Sequence, residues 1–132
     1  MPITIEWYDN QHRAIYERFI GQWTRDDLSV LAKQVDEFAV TVSWDVSILI
    51  DMSNAKSMPH GNAMMHGMNN LRQSPKNVAN IVFVIDSHLL NTFANMVFGT
   101  IPTWRGRTRF VKTLQEGRQI IDKLIEPKNV IT

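Results

Sequence analysis

The sequence predicts an α/β domain in the order β-β-α-β-α-β-α-β-α, with a mostly parallel sheet, an N-terminal antiparallel hairpin strand and flanking helices. Two apolar runs, "VSILIDM" at 46–52 and "NIVFVID" at 80–86, are typical of strands covered on both faces. Segments with helical spacing of apolar residues alternate with these runs. Strands that alternate with helices favour parallel pairing through right-handed crossovers.

The chain is predicted to begin with a β-hairpin. The segment "ITIEWYD" alternates, with Ile3, Ile5 and Trp7 on one face, and "AIYERFIG" continues in β-prone residues after the polar turn "NQHR". Gly21 follows as the end of the second strand. The hairpin accounts for the antiparallel strand of the predicted sheet.

The first helix is predicted over "TRDDLSVLAKQVDEFA". Thr24 is placed as its N-cap, with Asp27 three residues on as the acid of a capping box. Apolar residues recur at helical spacing and form its buried stripe, namely Leu28, Leu31, Val35 and Phe38.

The second half of the chain is predicted to hold three helices and the last strand. The helices are "HGNAMMHGMNNLRQ", "SHLLNTFANMVF" and "TLQEGRQIIDKLIE", and "RTRFVKT" is the strand. In the last helix Thr113 and Glu116 form a predicted capping box. Its inward side chains are predicted to be Ile120, Ile121, Leu124 and Ile125. We therefore expect one domain over residues 1–127 and a C-terminal tail over 128–132.

Composition excludes several classes of function. The net charge of +1 gives no global field for nucleic acid, and the absence of cysteine excludes thiol chemistry and disulfides. No apolar run approaches the ~20 residues of a membrane span, and the N-terminus is unlike a signal peptide. We find no GxSxG motif, phosphate loop or metal-ligand set. The expected protein is cytoplasmic, non-enzymatic and free of cofactors and metals.

Four local patterns resemble the STAS family, the SpoIIAA-like domains of bacterial anti-sigma-factor antagonists and of sulfate-transporter tails. They are "GQWTRDDL" entering the first helix, "LIDMS" closing the third strand, "NIVFVID" as the next strand and "RFVKTLQEG" running into the last helix. The resemblance covers nearly the whole chain. It is strongest to a bacterial branch of mostly unassigned function, whose fold is shared with the lipid-binding CRAL-TRIO domains.

The family's phosphorylation motif does not carry over. Phosphorylatable STAS domains hold an Asp-Ser-Ser-Gly-like motif at the start of the helix after the third strand. Counted on from Asp51, the matching positions here are Pro59, His60, Gly61 and Asn62, which have no hydroxyl. The resemblance therefore implies a domain that binds a protein partner, or a second copy of itself, without a phosphoserine switch.

The predicted partner surface is the crossing from Ser53 to Ala63, with the loop at 99–105 as a second candidate. At the helix start, His60 is placed to contact an anion or a partner, because free backbone N–H groups there favour anions. Asp51 has a simpler reading, as an acceptor for backbone N–H groups of the following loop. The charges of the basic strand after the second candidate loop are most simply explained as protection against edge-to-edge pairing. The candidate binding residues in these two segments are Asp51, Ser53, Ser57, Met58, His60, Trp104 and Arg105.

The alternative function is a carrier or sensor of a small apolar or lipid-like ligand, by similarity to CRAL-TRIO domains. An enclosed apolar cavity of ~300 Å³ or more would be required. Methionine and aromatic side chains of the two middle helices would line it, and the same methionines are also typical of gap-filling core. The lining residues are Met58, Met64, Met68, Phe93, Val97 and Phe98.

Overall fold

The computed structural model of the chain describes residues 3–55, 77–86, 95 and 106–126. Within these ranges the chain forms a five-stranded sheet with strand order β1-β2-β3-β4-β5. The first pair is antiparallel and the other three pairs are parallel. The predicted mixed sheet with consecutive parallel pairing is confirmed. The two predicted middle helices lie outside the described residues.

The N-terminal hairpin consists of β1 (Ile3–Trp7) and β2 (Ala14–Gly21), as predicted. Its turn is held by one carboxylate: Asp9 Oδ1 accepts the backbone N–H groups of Arg13 at 2.9 Å and Ala14 at 3.0 Å. His12 adopts a left-handed backbone conformation with φ of 58°. The side chain of His12 stacks on Trp7 with ring centroids 4.3 Å apart.

Helix α1 (Arg25–Ala39) begins at the predicted capping box. The hydroxyl of Thr24 accepts the Asp27 N–H at 3.2 Å, and the Asp27 carboxylate accepts the Thr24 N–H at 2.8 Å. These reciprocal bonds satisfy donors that the first turn of a helix cannot pair internally. Leu31 and Val35 are buried, so the predicted stripe faces the sheet.

Strands β3 (Val46–Ala55) and β4 (Val78–Val84) form the centre of the sheet. The first seven residues of β3 are all buried, which confirms the prediction of a strand covered on both faces. The strand is longer than predicted, because its pairing with β2 continues after the apolar run ends. Ile20 pairs with Asn54, and Gly21 pairs with Ala55. Ser53 therefore lies in the strand and not in the predicted loop.

The last strand, β5 (Thr108–Val111), is one edge of the sheet. Arg109 is exposed on it, as expected for a charge that protects an edge. Arg107, directly before the strand, instead donates from Nη1 to the Val78 carbonyl at 3.0 Å. Arg107, the first residue of the predicted strand, therefore ties the edge to β4.

Helix α2 (Leu114–Ile125) follows and packs on the opposite face from α1. The Thr113 hydroxyl accepts the Glu116 N–H at 3.1 Å, and its own O–H donates to Glu116 Oε1 at 3.0 Å. The cap thus has the predicted residues, with the Glu116 side chain bound to the hydroxyl. Leu124 was predicted to face inward, but it is 42% exposed because it lies on the solvent side of the last turn.

The sheet separates two hydrophobic cores. On the α1 face, buried side chains of all strands but β5 pack against α1, and Phe110 of β5 stacks on Phe83 at 5.2 Å. On the α2 face the core is smaller and consists of Ala14, Tyr16, Leu49, Val82, Val84 and Ile121. Trp23 is buried as a core anchor, whereas Trp44 is 40% exposed and donates from its indole N–H to the His12 carbonyl at 2.9 Å.

Gly117 sets how closely α2 approaches the sheet, and it supports a first prediction. A Cβ at this position would lie 2.9 Å from both Leu49 Cδ1 and Val84 Cγ2, which are buried side chains. Overpacking a core costs about 1–3 kcal/mol, and alanine recovers about 1 kcal/mol of helix propensity. We expect Gly117→Ala to lower the free energy of unfolding in urea by about 1 kcal/mol.

Gly106→Ala is the matched control for this prediction. A Cβ at Gly106 would meet nothing within 4 Å. Its free energy of unfolding should stay within about 0.5 kcal/mol of the wild-type value. Equal stability of the two variants would show that α2 can move away from the sheet without cost.

Candidate functional site

The candidate site lies at the carboxyl end of β2 and β3, where two of the predicted binding residues are described. Asp51 is buried and Ser53 is exposed, two residues further along β3. The other predicted binding residues lie outside the described ranges, and their roles stay predictions: Ser57, Met58, His60, Met64, Met68, Phe93, Phe98, Trp104 and Arg105.

A β-bulge shapes this end of β3. Arg18 pairs with Asp51 and Ile20 pairs with Asn54, so that Met52 and Ser53 together oppose one residue of β2. The Asp51 carboxylate binds the irregular segment, because its Oδ1 accepts the Ser53 N–H at 3.0 Å and the Ser53 hydroxyl at 2.6 Å. Asp51 therefore accepts a backbone N–H of the following segment, as its simpler reading predicted.

Tyr16 lies near two arginines on the α2 face, and one of them, Arg18, is in register with Asp51. Tyr16 and Arg18 alternate onto this face of β2, and Arg118 reaches it from α2. The Arg118 guanidinium carbon lies 5.5 Å from the centre of the Tyr16 ring and 5.7 Å from that of Tyr8. Because Arg118 and β2 are a hundred residues apart, the sequence contained no local signal for this cluster.

The hydroxyl groups of both tyrosines are protonated across the physiological pH range. Burial raises the pKa of Tyr16, the Asp51 charge raises it further, and the charges of Arg18 and Arg118 oppose this. Burial and a 2.7 Å hydrogen bond from the Tyr8 hydroxyl to Asp122 raise the pKa of Tyr8 to about 12. Tyr16 is thus available as a hydrogen-bond donor beside two cations.

An exposed apolar side chain borders this cluster. Ile20 lies two residues beyond Arg18 on β2, on the same face, and is 43% exposed. Its pairing partner Asn54 and the neighbouring Ser53 are also exposed. The carboxyl end of β2 and β3 thus presents an apolar group within a polar surface.

The sequence interpretation missed Glu17, a carboxyl group buried on the α1 face of β2. Its neighbours in register are Ile5 on β1 and Ile50 on β3. Oε2 has no hydrogen-bond partner among the described residues. Burial therefore raises the pKa of Glu17 from its ordinary 4.5 to about 8. Strand alternation could have located this residue, since Glu17 lies between Ile15 and Phe19 on the inward face.

An open cleft of about 640 Å³ lies at the opposite, amino end of the parallel strands. Arg13, Asp45, Asn80 and Glu126 contribute polar groups to it, and Leu124 contributes apolar surface. The cleft shares no residue with the Asp51 cluster. It is therefore a separate feature of the fold.

The described residues include neither a grouped set of metal ligands nor a helix suited to span a membrane. Among residues 3–55, 77–86, 95 and 106–126, no three His, Asp or Glu side chains are grouped as a metal site would require. Within the same residues, neither helix has the length and apolar character needed to cross a membrane.

Comparison with known proteins relates the chain to a solved structure by its fold. No family model and no curated protein matches the sequence. The chain is similar in structure to an uncharacterized protein of the DUF3478 family from Shewanella loihica PV-4, which has a SpoIIAA-like fold. The two share 12% sequence identity and a TM-score of 0.66, over 90% of this chain and 93% of that one. The chain therefore has the SpoIIAA-like fold that its sequence predicted.

The raised pKa of Glu17 predicts how stability depends on pH. Between pH 4.5 and about 8 the folded protein retains a proton that the unfolded chain has released. The contribution of Glu17 is thus fully favourable below pH 4.5 and is lost as the pH rises through 8. We expect Glu17→Gln to match the wild type near pH 4.5 and to be roughly 5 kcal/mol more stable above pH 8.

Urea unfolding of both proteins between pH 4.5 and 9 measures this difference. Glu6→Gln, at an exposed position on β1, is the control and should remain parallel to the wild type at every pH. A Glu17→Gln curve that is also parallel to the wild type would mean that the buried carboxyl group is charged and paired.

Removal of the Asp51 hydrogen bonds is expected to lower the free energy of unfolding. Asp51→Ala leaves the Ser53 N–H without its acceptor at the bulge, so we expect a loss of about 1–3 kcal/mol in unfolding free energy. Asp45→Ala, at an exposed position before β3, should change stability by less than about 0.5 kcal/mol. An equal effect of the two substitutions would contradict a role for Asp51 in holding the bulge.

Proposed function

We propose that this chain is a non-enzymatic binding domain that acts through contact with a protein partner at the carboxyl end of β2 and β3. The observation that carries the proposal is the exposed side chain of Ile20 beside exposed Ser53 and Asn54. Contact surfaces of proteins combine an apolar centre with a polar rim. The surface adjoins the crossing that the sequence predicted as the partner site.

The hydrogen bonds of Ser53 support a contact without a phosphorylation switch at this residue. Its hydroxyl donates to the buried Asp51 carboxylate at 2.6 Å. A phosphate on this oxygen would lose that bond and place a dianion against a carboxylate, which is repulsive. The segment at 59–62 contains no hydroxyl either. We therefore expect partner binding to depend on the exposed side chains of this surface and not on phosphorylation of Ser53.

The carrier function gains no support from the described residues. The cleft at the amino end is open and is lined by the charged side chains of Arg13, Asp45 and Glu126. An apolar ligand would require an enclosed and largely apolar site. The carrier hypothesis therefore depends on the predicted methionine and aromatic lining at 58–98 alone.

Ile20→Glu tests the proposed contact. The substitution places a charge in the apolar part of the surface, where burial against a partner would cost several kcal/mol without a counter-ion. We expect the wild type either to capture a partner from a lysate of its native host or to form a dimer by native mass spectrometry. Ile20→Glu should weaken that association by at least about tenfold.

Val40→Glu is the matched control, because Val40 is 72% exposed after the C-terminus of α1, at the amino end of the strands. It should associate like the wild type, and both variants should melt within a few degrees of it. A wild-type chain that stays monomeric and captures nothing would defeat the proposal. So would equal loss of association in the two variants.

A further inference from the structure

We propose that the cleft at the amino end of the parallel strands binds a small zwitterion, a molecule with an ammonium group, a carboxylate group and an apolar part. Amino acids and dipeptides with aliphatic side chains have this chemistry. The cleft lies at the opposite end of β2 from Ile20. The inference therefore goes beyond the proposed partner contact and does not depend on it.

The floor of the cleft is formed by the first residues of β3 and β4. Ser47 pairs with Asn80, and both lie on the face of the sheet that α2 covers. The preceding pair is Val46 with Val78, so that Ala79 is one extra residue on β4. Such a bulge interrupts the ladder and is frequent beside binding and active sites. Because Ala79 and Asn80 both line the cleft, the bulge opens the start of β4 toward it.

A nearly buried hydroxyl group faces this cleft. Ser47 is only 5% exposed and lines the cleft. Its hydroxyl has no hydrogen-bond partner among the described residues, and the same holds for the side-chain amide of the half-buried Asn80. Polar groups at such depth are usually paired. Ser47 and Asn80 thus offer two neutral hydrogen-bonding groups to a molecule in the cleft.

Charged groups of both signs stand around the floor. Arg13, directly before β2, supplies a guanidinium group, and Asp45 and Glu126 supply carboxylates. All three residues are exposed, and within the described ranges no ion pair joins Arg13 to either acid. The Arg13 guanidinium carbon instead lies 5.4 Å from the centre of the Trp44 ring. The three charges therefore remain available to a ligand.

The C-terminal end of α2 strengthens the acidic side of the cleft. The helix ends at Ile125 with Glu126 as its C-cap, and both residues line the cleft. The last carbonyl groups of a helix have no partner within it and carry partial negative charge. Lys123, the basic residue of the last turn, lines a neighbouring depression instead. An ammonium group is thus favoured at this side.

The combined charges favour a zwitterion over a ligand with one charge. A cation alone would meet Arg13, and an anion alone would meet Asp45, Glu126 and the carbonyl end of α2. A purely apolar molecule would cover these groups without pairing them, which is costly. A zwitterion places its carboxylate at Arg13, which suits bidentate binding of carboxylates, and its ammonium group at the acids.

Apolar side chains and the size of the cleft indicate the rest of the ligand. Leu124 is 42% exposed and Ile125 is half-buried, and both line the wall that α2 forms. An aliphatic side chain of the ligand would remove their apolar surface from water. The volume of about 640 Å³ lies within the range of about 300–1,000 Å³ typical of small-molecule sites. Leucine and leucyl-leucine are therefore suitable probes.

Isothermal titration calorimetry of the full chain tests the site with these two probes and with the N-acetylated and the C-amidated form of each. Acetylation removes the ammonium group, and amidation removes the carboxylate. We expect leucine or leucyl-leucine to bind with a Kd below about 1 mM, and its two blocked forms to bind at least about tenfold more weakly. The tighter of the two unblocked probes distinguishes an amino acid from a dipeptide as the ligand.

Two variants assign the charges. Arg13→Gln should weaken binding of the zwitterion by about tenfold and leave that of its C-amidated form unchanged, because the amide has no carboxylate for Arg13. Asp45→Asn should weaken binding of the zwitterion by about fivefold, since Glu126 remains, and leave that of the N-acetylated form unchanged.

Arg109→Gln and Glu37→Gln are the matched controls, because both residues are exposed and neither lines the cleft. They should bind every probe like the wild type. The site is overturned if the wild type binds neither unblocked probe, or if the controls lose as much affinity as the cleft variants. Blocked probes that bind as tightly as the zwitterion would overturn the assignment of the ligand class.

Discussion

The burial of β3 on both faces is the constraint on which the rest of this structure depends. Seven successive residues of this strand are shielded from water, so each face must be covered by a helix or by side chains. On one face, helix α2 comes within contact distance of Leu49 and Val84, and only a glycine at position 117 permits that approach. On the other face, α1 supplies Leu31 and Val35.

Double burial also determines the behaviour of the polar groups in the central strands. A buried carboxyl group must either find donors or hold its proton. Asp51 finds donors because the bulge in β3 brings the Ser53 N–H and hydroxyl to it. Glu17 lies in the regular part of β2 between apolar neighbours, and its pKa rises to about 8 instead. The two acids, on opposite faces of adjacent strands, thus meet the same constraint in different ways.

Features that depend on local spacing were predictable, and those that depend on distant contacts were not. The Thr24–Asp27 cap, the hairpin and the buried runs of β3 and β4 follow from residues a few positions apart. The extension of β3 to Ala55 does not, because its last residues are polar and remain in the strand through pairing with β2. Of the site, Asp51 and Ser53 were identified by position at a strand end. The approach of Arg118 to the Tyr16 ring could not be predicted, because it depends on the packed position of α2.

The two ends of β2 and β3 differ in how far their polar groups are satisfied within the described residues. At the amino end Asp9 accepts the N–H groups of the hairpin turn, and Trp44 donates to the His12 carbonyl. The Asn77 side chain ties this end further by donating to the Ala39 and Trp44 carbonyls. At the carboxyl end the buried Nε of Arg18 has no described acceptor, and Ile20 is exposed beside it. The polar groups that close the hairpin turn are thus paired at the amino end of these strands, whereas the bulged carboxyl end keeps a buried donor without a described acceptor.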